Sequence, residues 1–171
     1  MMKILDEIFL VTNDGKELLE LDDTKPLNSR NIIIPDGVEI IYPHAFKDHA
    51  NIENVSFPDS LKEIGEEAFM NCSALKTVVL PDSVIKLGKR AFFGCKDLTS
   101  VTLSQNLKEI PDYCFSNGDI RSLSIPQNIT SIGRFAFAWN PNLQTVHLRK
   151  TLKAIGDSAF SASCKARILY Y

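Results

Sequence analysis

A period of 23 residues constrains this chain more than any other feature of its sequence. A small residue followed by Phe recurs six times, and the steps between successive phenylalanines are 23, 23, 23, 22 and 23 residues. These are Phe46, Phe69, Phe92, Phe115, Phe137 and Phe160. A second apolar column has the same steps: Ile34, Phe57, Leu80, Leu103, Ile125 and Leu148. Because both columns share one irregular step, the sequence predicts stacked units, one of which, in "SNGDIRS", lacks a residue.

Each unit begins with a strand pattern such as "LKTVVL", "LTSVTL" or "LQTVHL". Its alternation predicts a strand with one buried and one open face, and its spacing is typical of a leucine-rich repeat. An Ile-Gly pair then indicates a flexible corner, and the small-Phe pair is expected on a short helical or 3₁₀ segment. The predicted fold class is an α/β repeat solenoid, mostly β, with about six rungs of about 23 residues and a parallel sheet on one face.

The repeated Phe is predicted to be structural. One unit cannot bury its own apolar residues, so each inward position must hold a side chain that fits the neighbouring unit. The six phenylalanines should therefore form a continuous buried spine, in which each contributes ~1.5–3 kcal/mol. The charged residues vary from unit to unit because they point outward.

The two ends of the chain differ from the repeats. Residues 1–30 are predicted to form an N-terminal hairpin cap, since Asn13-Asp14-Gly15 lies between two apolar runs. Residues 31–171 are predicted to form the repeat array, which ends in a partial seventh strand with Leu169 at the buried Val position. An uncovered strand invites pairing with another chain. We therefore expect any self-association to use Ile168, Leu169, Tyr170 and Tyr171.

The sequences of the units resemble those of the BspA-like leucine-rich repeat family. The resemblance rests on "IPDGVEIIYPHAF", "FPDSLKEIGEEAFMNCSAL" and "LPDSVIKLGKRAFFGCKDL", and it covers residues 31 to about 165. It implies a solenoid without catalytic function, of a kind common in bacterial surface proteins and in some protists, where such repeats are taken to mediate adhesion or recognition. It does not imply a particular ligand.

Charge and hydropathy exclude several other classes of protein. The net charge is −2 and no basic block is present, so nucleic acid is not an expected partner. No apolar run approaches the ~18 residues of a membrane helix, so membrane insertion is not expected. The N-terminus is a poor signal peptide. We therefore expect a cytoplasmic protein as the sequence is written, or a cell-surface one if the chain is a fragment of an exported parent.

The open face of the predicted sheet is the candidate ligand-binding surface. It should carry small, neutral and mostly hydroxylic side chains, which either hydrogen-bond a ligand or simply suit an exposed parallel sheet. The predicted function is recognition of a protein, or of a glycan, through this face or its flanking loops; the alternative is a structural protein that self-associates through its ends. The candidate residues are Asn54, Ser56, Thr77, Val79, Ser100, Thr102, Ser122, Ser124, Thr145 and His147.

Few residues suggest chemistry. Ser124 and His147 share a column on adjacent rungs, but no acid lies in that column to orient the histidine and no nucleophile elbow is present. We therefore predict that the protein is not an enzyme. The four cysteines lack C-x-x-C spacing, and no metal or cofactor is expected. Cys72 and Cys95 fall on neighbouring rungs, where they form either a disulfide or two small buried thiols.

Overall fold

A computed structural model describes residues 2–5, 9–21, 30–163 and 167–170 of the chain. It begins with antiparallel strands, and the turn between the second and the third closes with a hydrogen bond from the Gly15 N–H to the Thr12 carbonyl at 2.9 Å. The predicted hairpin is therefore present, while its role as a cap stays a prediction. These strands are β1 (Met2–Leu5), β2 (Phe9–Thr12) and β3 (Glu17–Leu21).

Two sets of short parallel strands run along the solenoid, one strand of each set in every turn. The first set forms the open sheet face: β4 (Asn31–Ile33), β6 (Asn54–Ser56), β8 (Thr77–Val79), β10 (Ser100–Thr102), β12 (Ser122–Ser124), β14 (Thr145–Leu148) and β16 (Arg167–Tyr170). The second set forms a narrower sheet: β5 (Ile40–Ile41), β7 (Glu63–Ile64), β9 (Lys86–Leu87), β11 (Glu109–Ile110), β13 (Ser131–Ile132) and β15 (Ala154–Ile155). Because β3 pairs in parallel with β5, the N-terminal strands extend this second sheet.

The third wall is made of turns, and the described residues contain no helix. The α/β part of the predicted class and the short helical segment are therefore not confirmed; the fold is a mostly β solenoid of about six turns. The reason is that N–H groups of this wall donate to the next unit instead of bonding within a helix. For example, the N–H groups of Phe69 and Asn71 donate to the carbonyls of Ala91 and Phe93 at 2.8 and 2.7 Å.

Two residues per unit on this wall have a left-handed backbone, which also prevents a helix. The first left-handed column comprises His44, Glu67, Arg90, Tyr113, Phe135 and Ser158. The second left-handed column comprises Asp48, Asn71, Gly94, Asn117, Trp139 and Ala162. Seven of these twelve residues are not Gly, Asn, Asp or His, the types that favour a left-handed backbone, so contacts between units hold the conformation.

The phenylalanine spine is confirmed. Each ring stacks on the next with centroids 4.7–5.6 Å apart and planes within 6° of parallel. The first five rings are at most 1% exposed, whereas Phe160, in the last unit, is half-buried. Phe9 of β2 packs edge-on against Phe46 with ring centroids 6.4 Å apart, so the N-terminal hairpin contacts the first ring of the spine.

The glycine of the Ile-Gly corner is required by close packing, and the predicted flexibility is wrong as its reason. A Cβ at Gly88 would lie 2.2 Å from the Glu66 nitrogen, and one at Gly65 would lie 2.5 Å from the Pro43 nitrogen. Neither glycine has a positive φ. The corner therefore excludes larger side chains because successive backbones touch there.

Both parallel sheets are interrupted at a boundary in the middle of the solenoid. The open sheet face divides between β10 and β12, and the second sheet divides between β9 and β11. In the open sheet face, the step from β10 to β12 is 22 residues instead of 23, because the missing residue lies between these strands. In the second sheet, Pro111 occupies the position that Gly88 occupies one unit earlier. The Gly88 N–H donates to the Ile64 carbonyl at 2.7 Å, whereas proline has no N–H to donate. The turn wall continues across this boundary, since the Arg90 N–H donates to the Asp112 carbonyl at 3.1 Å.

Asn140 compensates for the missing residue. Its buried Oδ1 accepts the Ile120 N–H at 3.0 Å, and its Nδ2 donates to the Phe115 carbonyl at 3.0 Å. In the preceding, full-length unit the Leu98 N–H donates to the Cys95 carbonyl instead. The Asn140 side chain thus supplies to the short unit a hydrogen bond that its own backbone does not make.

The seventh strand is present as β16, but its predicted register is wrong by one residue. Ile168, not Leu169, pairs with Val146 at the buried position, and Leu169 pairs with His147 on the open face. The final step is therefore 22 residues rather than 23, and a shift of one residue exchanges the two faces of a strand. Tyr171, which was expected to end this strand, lies outside the described residues.

Candidate functional site

The open sheet face carries the ten predicted ligand-binding residues in two parallel columns. In β6, β8, β10 and β12 the outer two residues are exposed, and in β14 Thr145 and His147 are half-buried. The residue between them is buried in β8, β10, β12 and β14, whereas Val55 of β6 is half-buried. The structure thus brings the predicted residues onto one surface, while their role in binding stays a prediction.

Two hollows lie on this face, one on the N-terminal side of the boundary and one at the boundary itself. The hollow of about 610 Å³ on the N-terminal side is mostly apolar, and Ile33, Phe57 and Val79 contribute to its lining. The hollow of about 370 Å³ at the boundary is more polar, and Gln105, Gln127 and Arg149 contribute to its lining. The face is therefore apolar toward β4 and polar toward β12.

Ser124 and His147 are register partners in β12 and β14, as predicted from their shared column. Ser124 is exposed and His147 is half-buried. Among the residues that the structure describes, no three His, Cys, Asp or Glu side chains come together as a metal site would require.

The cysteines are hydrogen-bond donors within the core. Cys72, Cys95 and Cys114 are free thiols, and Cys164 lies outside the described residues. The Cys72 Sγ donates to the Phe46 carbonyl at 3.0 Å, and the Cys95 Sγ donates to the Phe69 carbonyl at 3.3 Å. Burial raises the pKa of the Cys72 thiol to about 12 and also raises the pKa of Cys95 and Cys114. These thiols are thus protonated at neutral pH and poorly suited to nucleophilic attack.

Charged residues in the N-terminal half of the chain pair between units. The carboxylates of Glu39 and Glu53 each lie between two cations from neighbouring units, which lowers the pKa of both, chiefly through hydrogen bonds from Lys62 and Lys76. Charges that vary along the sequence are therefore matched in space. The ion-pair sets are Lys16–Glu39–Lys62, Arg30–Glu53–Lys76 and Glu63–Lys86.

Glu67 is the centre of a charged cluster in the first left-handed column. It contacts the Lys47 Nζ at 2.9 Å, and it contacts His44 and Arg90 at 3.4 Å. The hydrogen bond from Lys47 is the main reason why the pKa of Glu67 is lowered. On the next unit Arg90 also lies over the ring of Tyr113, 5.2 Å from its centroid.

Tyr113 and Phe135 continue this column, Trp139 of the second left-handed column stacks beside them, and none of the three was predicted from the sequence. Tyr113 stacks on Phe135 at 5.0 Å, and Phe135 stacks on Trp139 at 5.5 Å. We call Tyr113, Phe135 and Trp139 the aromatic strip. A signal was available, because Tyr113 and Phe135 each directly precede the small-Phe pair of consecutive units and so share a column.

The fold defines a class of protein, a leucine-rich repeat solenoid, and a sequence comparison then identifies the family. The profile of the BspA type leucine rich repeat region matches residues 25–117 and 62–170, in six copies. The chain therefore belongs to the BspA-type leucine-rich repeat family. A comparison with curated proteins found no match. Within the described residues, no helix has the length and apolar character needed to cross a membrane.

Solved bacterial structures share the fold. A leucine rich cell surface protein from Faecalibacterium prausnitzii is 22% identical with a TM-score of 0.67, and the match covers 99% of this chain and 54% of that one. A leucine-rich repeat protein from Eubacterium ventriosum is 16% identical with a TM-score of 0.73, covering 99% and 51%. The pneumococcal vaccine antigen PcpA is 19% identical with a TM-score of 0.63, covering 99% and 37%. This chain thus spans about half or less of each.

Proposed function

We propose that the chain is a non-catalytic recognition module that binds a protein, or a glycan, through its open sheet face or the flanking loops. The observation that carries this proposal is the register of the open face. Exposed hydroxyl and amide side chains recur in the same two columns from β6 to β12, with Val79 as the exception, so a ligand that crosses the strands meets a nearly regular array of hydrogen-bonding groups.

The comparisons support this proposal at the level of the class. The family is built from repeats, and such arrays present extended surfaces for binding. One solved neighbour is described as a cell surface protein and another as a vaccine antigen. We therefore also propose that this chain belongs to a protein displayed at a cell surface.

The test places positive charge on the open face. Thr77, Thr102 and Thr145 are replaced together with Lys, which should leave folding intact because all three side chains lie on the open face. Partners captured from the native source by the wild-type protein should be lost, and the affinity of a purified partner should fall at least tenfold in a calorimetric titration.

The matched control adds the same charge elsewhere. Asn51→Lys, Ile85→Lys and Ala154→Lys change three exposed residues outside the ten candidate positions. This control should bind as the wild type does. Equal binding by both triple variants would move the site away from the open sheet face.

Self-association is the second candidate function, and the exposure of β16 favours it. Ile168, Leu169 and Tyr170 are 40%, 42% and 59% exposed, and β16 is the last strand of its sheet among the described residues. Light scattering after size exclusion should then show a dimer that depends on concentration and is weakened by Leu169→Lys. A monomer at all concentrations would rule this function out.

A further inference from the structure

The aromatic strip ends in an indole with one open face. Trp139 stacks on Phe135 with planes 2° apart, so one face of the indole is covered. The side chain is nevertheless 43% exposed, which requires that much of its other face and an edge meet solvent. The following unit places only Ala162 in the column of Trp139 and Ser158 in the column of Phe135. These small residues leave room for a further ring beside the indole.

The position of this indole is fixed by the backbone around it. The backbone N–H of Trp139 donates to the Ser161 carbonyl at 2.9 Å, and this hydrogen bond joins the Trp139 backbone to the next unit. The next residue is the buried Asn140, which is held by hydrogen bonds to Ile120 and Phe115. A ring that is already ordered loses little conformational entropy when a ligand stacks on it.

The surroundings of Trp139 are polar. The units on either side carry Asn117, Asp157, Ser158 and Ser161. Backbone hydrogen bonds join these units to the unit of Trp139, and one of them runs from the Asn117 N–H to the Ala138 carbonyl at 3.0 Å. Among the described residues, the other large exposed apolar side chains belong to β4, β8, β15 and β16, to Ile85 next to β9, or to the Tyr42 corner. A protein-binding hot spot is usually surrounded by further contacts that exclude water, and this wall does not present such a ring.

We propose that Trp139 is the platform of a carbohydrate subsite for a neutral pyranose ring. The face of an aromatic ring carries negative charge density and attracts the polarised C–H groups of a sugar face. The amide, hydroxyl and carboxylate groups nearby can accept or donate hydrogen bonds to the sugar hydroxyls, and Asp157 disfavours an acidic sugar. This subsite lies on the turn wall and is separate from the open sheet face.

Trp139 is the single tryptophan of the chain, so its fluorescence reports directly on the site. The probes are the methyl glycosides of glucose, galactose, mannose and N-acetylglucosamine, and the linear tetrasaccharides of the same sugars. At least one should cause a saturable change of the emission at millimolar concentration or below. If none of these sugars changes the emission up to about 100 mM, the proposal is wrong, because a Kd above that concentration means a binding free energy weaker than about −1.4 kcal/mol.

Variants locate the binding. Trp139→Ala should weaken the calorimetric affinity for the responding sugar at least tenfold, while Tyr42→Ala, which removes another exposed aromatic ring, should leave it unchanged. Ala162→Phe keeps the indole and covers it with a ring, so it should also weaken binding and decides the question if Trp139→Ala does not fold. Unchanged binding by Ala162→Phe would overturn the proposal.

The result is independent of the recognition function proposed above. The variant with Lys at Thr77, Thr102 and Thr145 should bind the sugar as the wild type does, and a loss would place the sugar on the open face and overturn the subsite. A protein partner that depends on Trp139 and is not displaced by any sugar would also overturn it.

Discussion

Residues 31–97 and residues 121–163 pack around the same phenylalanine spine, yet their turn walls carry different chemistry. In the first region Glu67 pairs with Lys47, Arg90 and the His44 ring, whereas in the second Phe135 and Trp139 stack as rings. A buried column has neighbours on both sides and one available volume, so every unit must supply the same kind of side chain. In a column of the turn wall, each side chain only has to interact favourably with those of the adjacent units, and both oppositely charged pairs and stacked rings do so.

The boundary between the two regions separates the sheets but not the core. Both parallel sheets are interrupted there, while the spine passes from Phe92 to Phe115 at 5.2 Å with planes 2° apart. The turn wall also continues across it. The two regions should therefore unfold together, because they share one buried core.

Removing a ring from the spine should have the largest effect. Phe92→Ala is expected to lower the free energy of unfolding by ~3–5 kcal/mol, since it creates a cavity between two stacked neighbours. The control is Phe160→Ala, which should cost less because Phe160 is half-buried and, among the described residues, stacks on one ring of the spine, Phe137. Denaturant unfolding measures both, and equal losses would mean that the spine does not act as a continuous core.

Breaking the compensation at the short unit should come next. Asn140→Ala is expected to cost ~1–3 kcal/mol, because it leaves the buried Ile120 N–H without its acceptor. Asn142→Ala is the control, since this residue is exposed and its Nδ2 donates to the exposed side of the neighbouring unit, at the Asp119 carboxylate, at 2.6 Å. A loss at Asn142 equal to that at Asn140 would contradict the compensating role.

Restoring the missing residue sharpens this test. Gly118→Cys with one residue inserted after it recreates the local sequence of the preceding unit, and Asn140→Cys then returns the column to its usual type. The two changes should be destabilising separately and less so together, because the insertion competes with the Asn140 side chain for the same hydrogen bonds. Strict additivity of the two losses would argue against that competition.

The charged region should respond to pH and salt with the smallest effect. The pKa of Glu67 in the folded protein is lowered from 4.5, mainly by Lys47, so its ion pairs contribute stability above that pH and lose it as the pH falls through the folded-state pKa. Glu67→Gln should therefore lower the Tm at pH 7 by less than about 4 °C, and the difference should vanish in acid and shrink in high salt. The difference in Tm between Tyr113→Leu and the wild type should not depend on pH between 4 and 7. A pH-dependent difference would contradict the contrast between the charged and the aromatic region.

The sequence by itself determined the repeat, the buried columns and the site of the deletion. Stacked units bury identical positions, so the size of Phe69 or Leu80 recurs at a fixed spacing and can be read without a structure. The alternation within each strand likewise indicated which residues of β8 and β10 face outward.

The tertiary structure alone decided the turn wall, the packing of the corner glycines and the register of β16. Glu67 and Arg90 adopt a left-handed backbone because their N–H groups donate to the carbonyls of Lys89 and Asp112 in the next unit, a cause that lies 22 residues away. Asn140 occupies a column that also holds Cys72 and Cys95, and only the three-dimensional path of the short unit shows why an amide is needed there. Local preference cannot specify these features, because each is set by contact between units rather than within one.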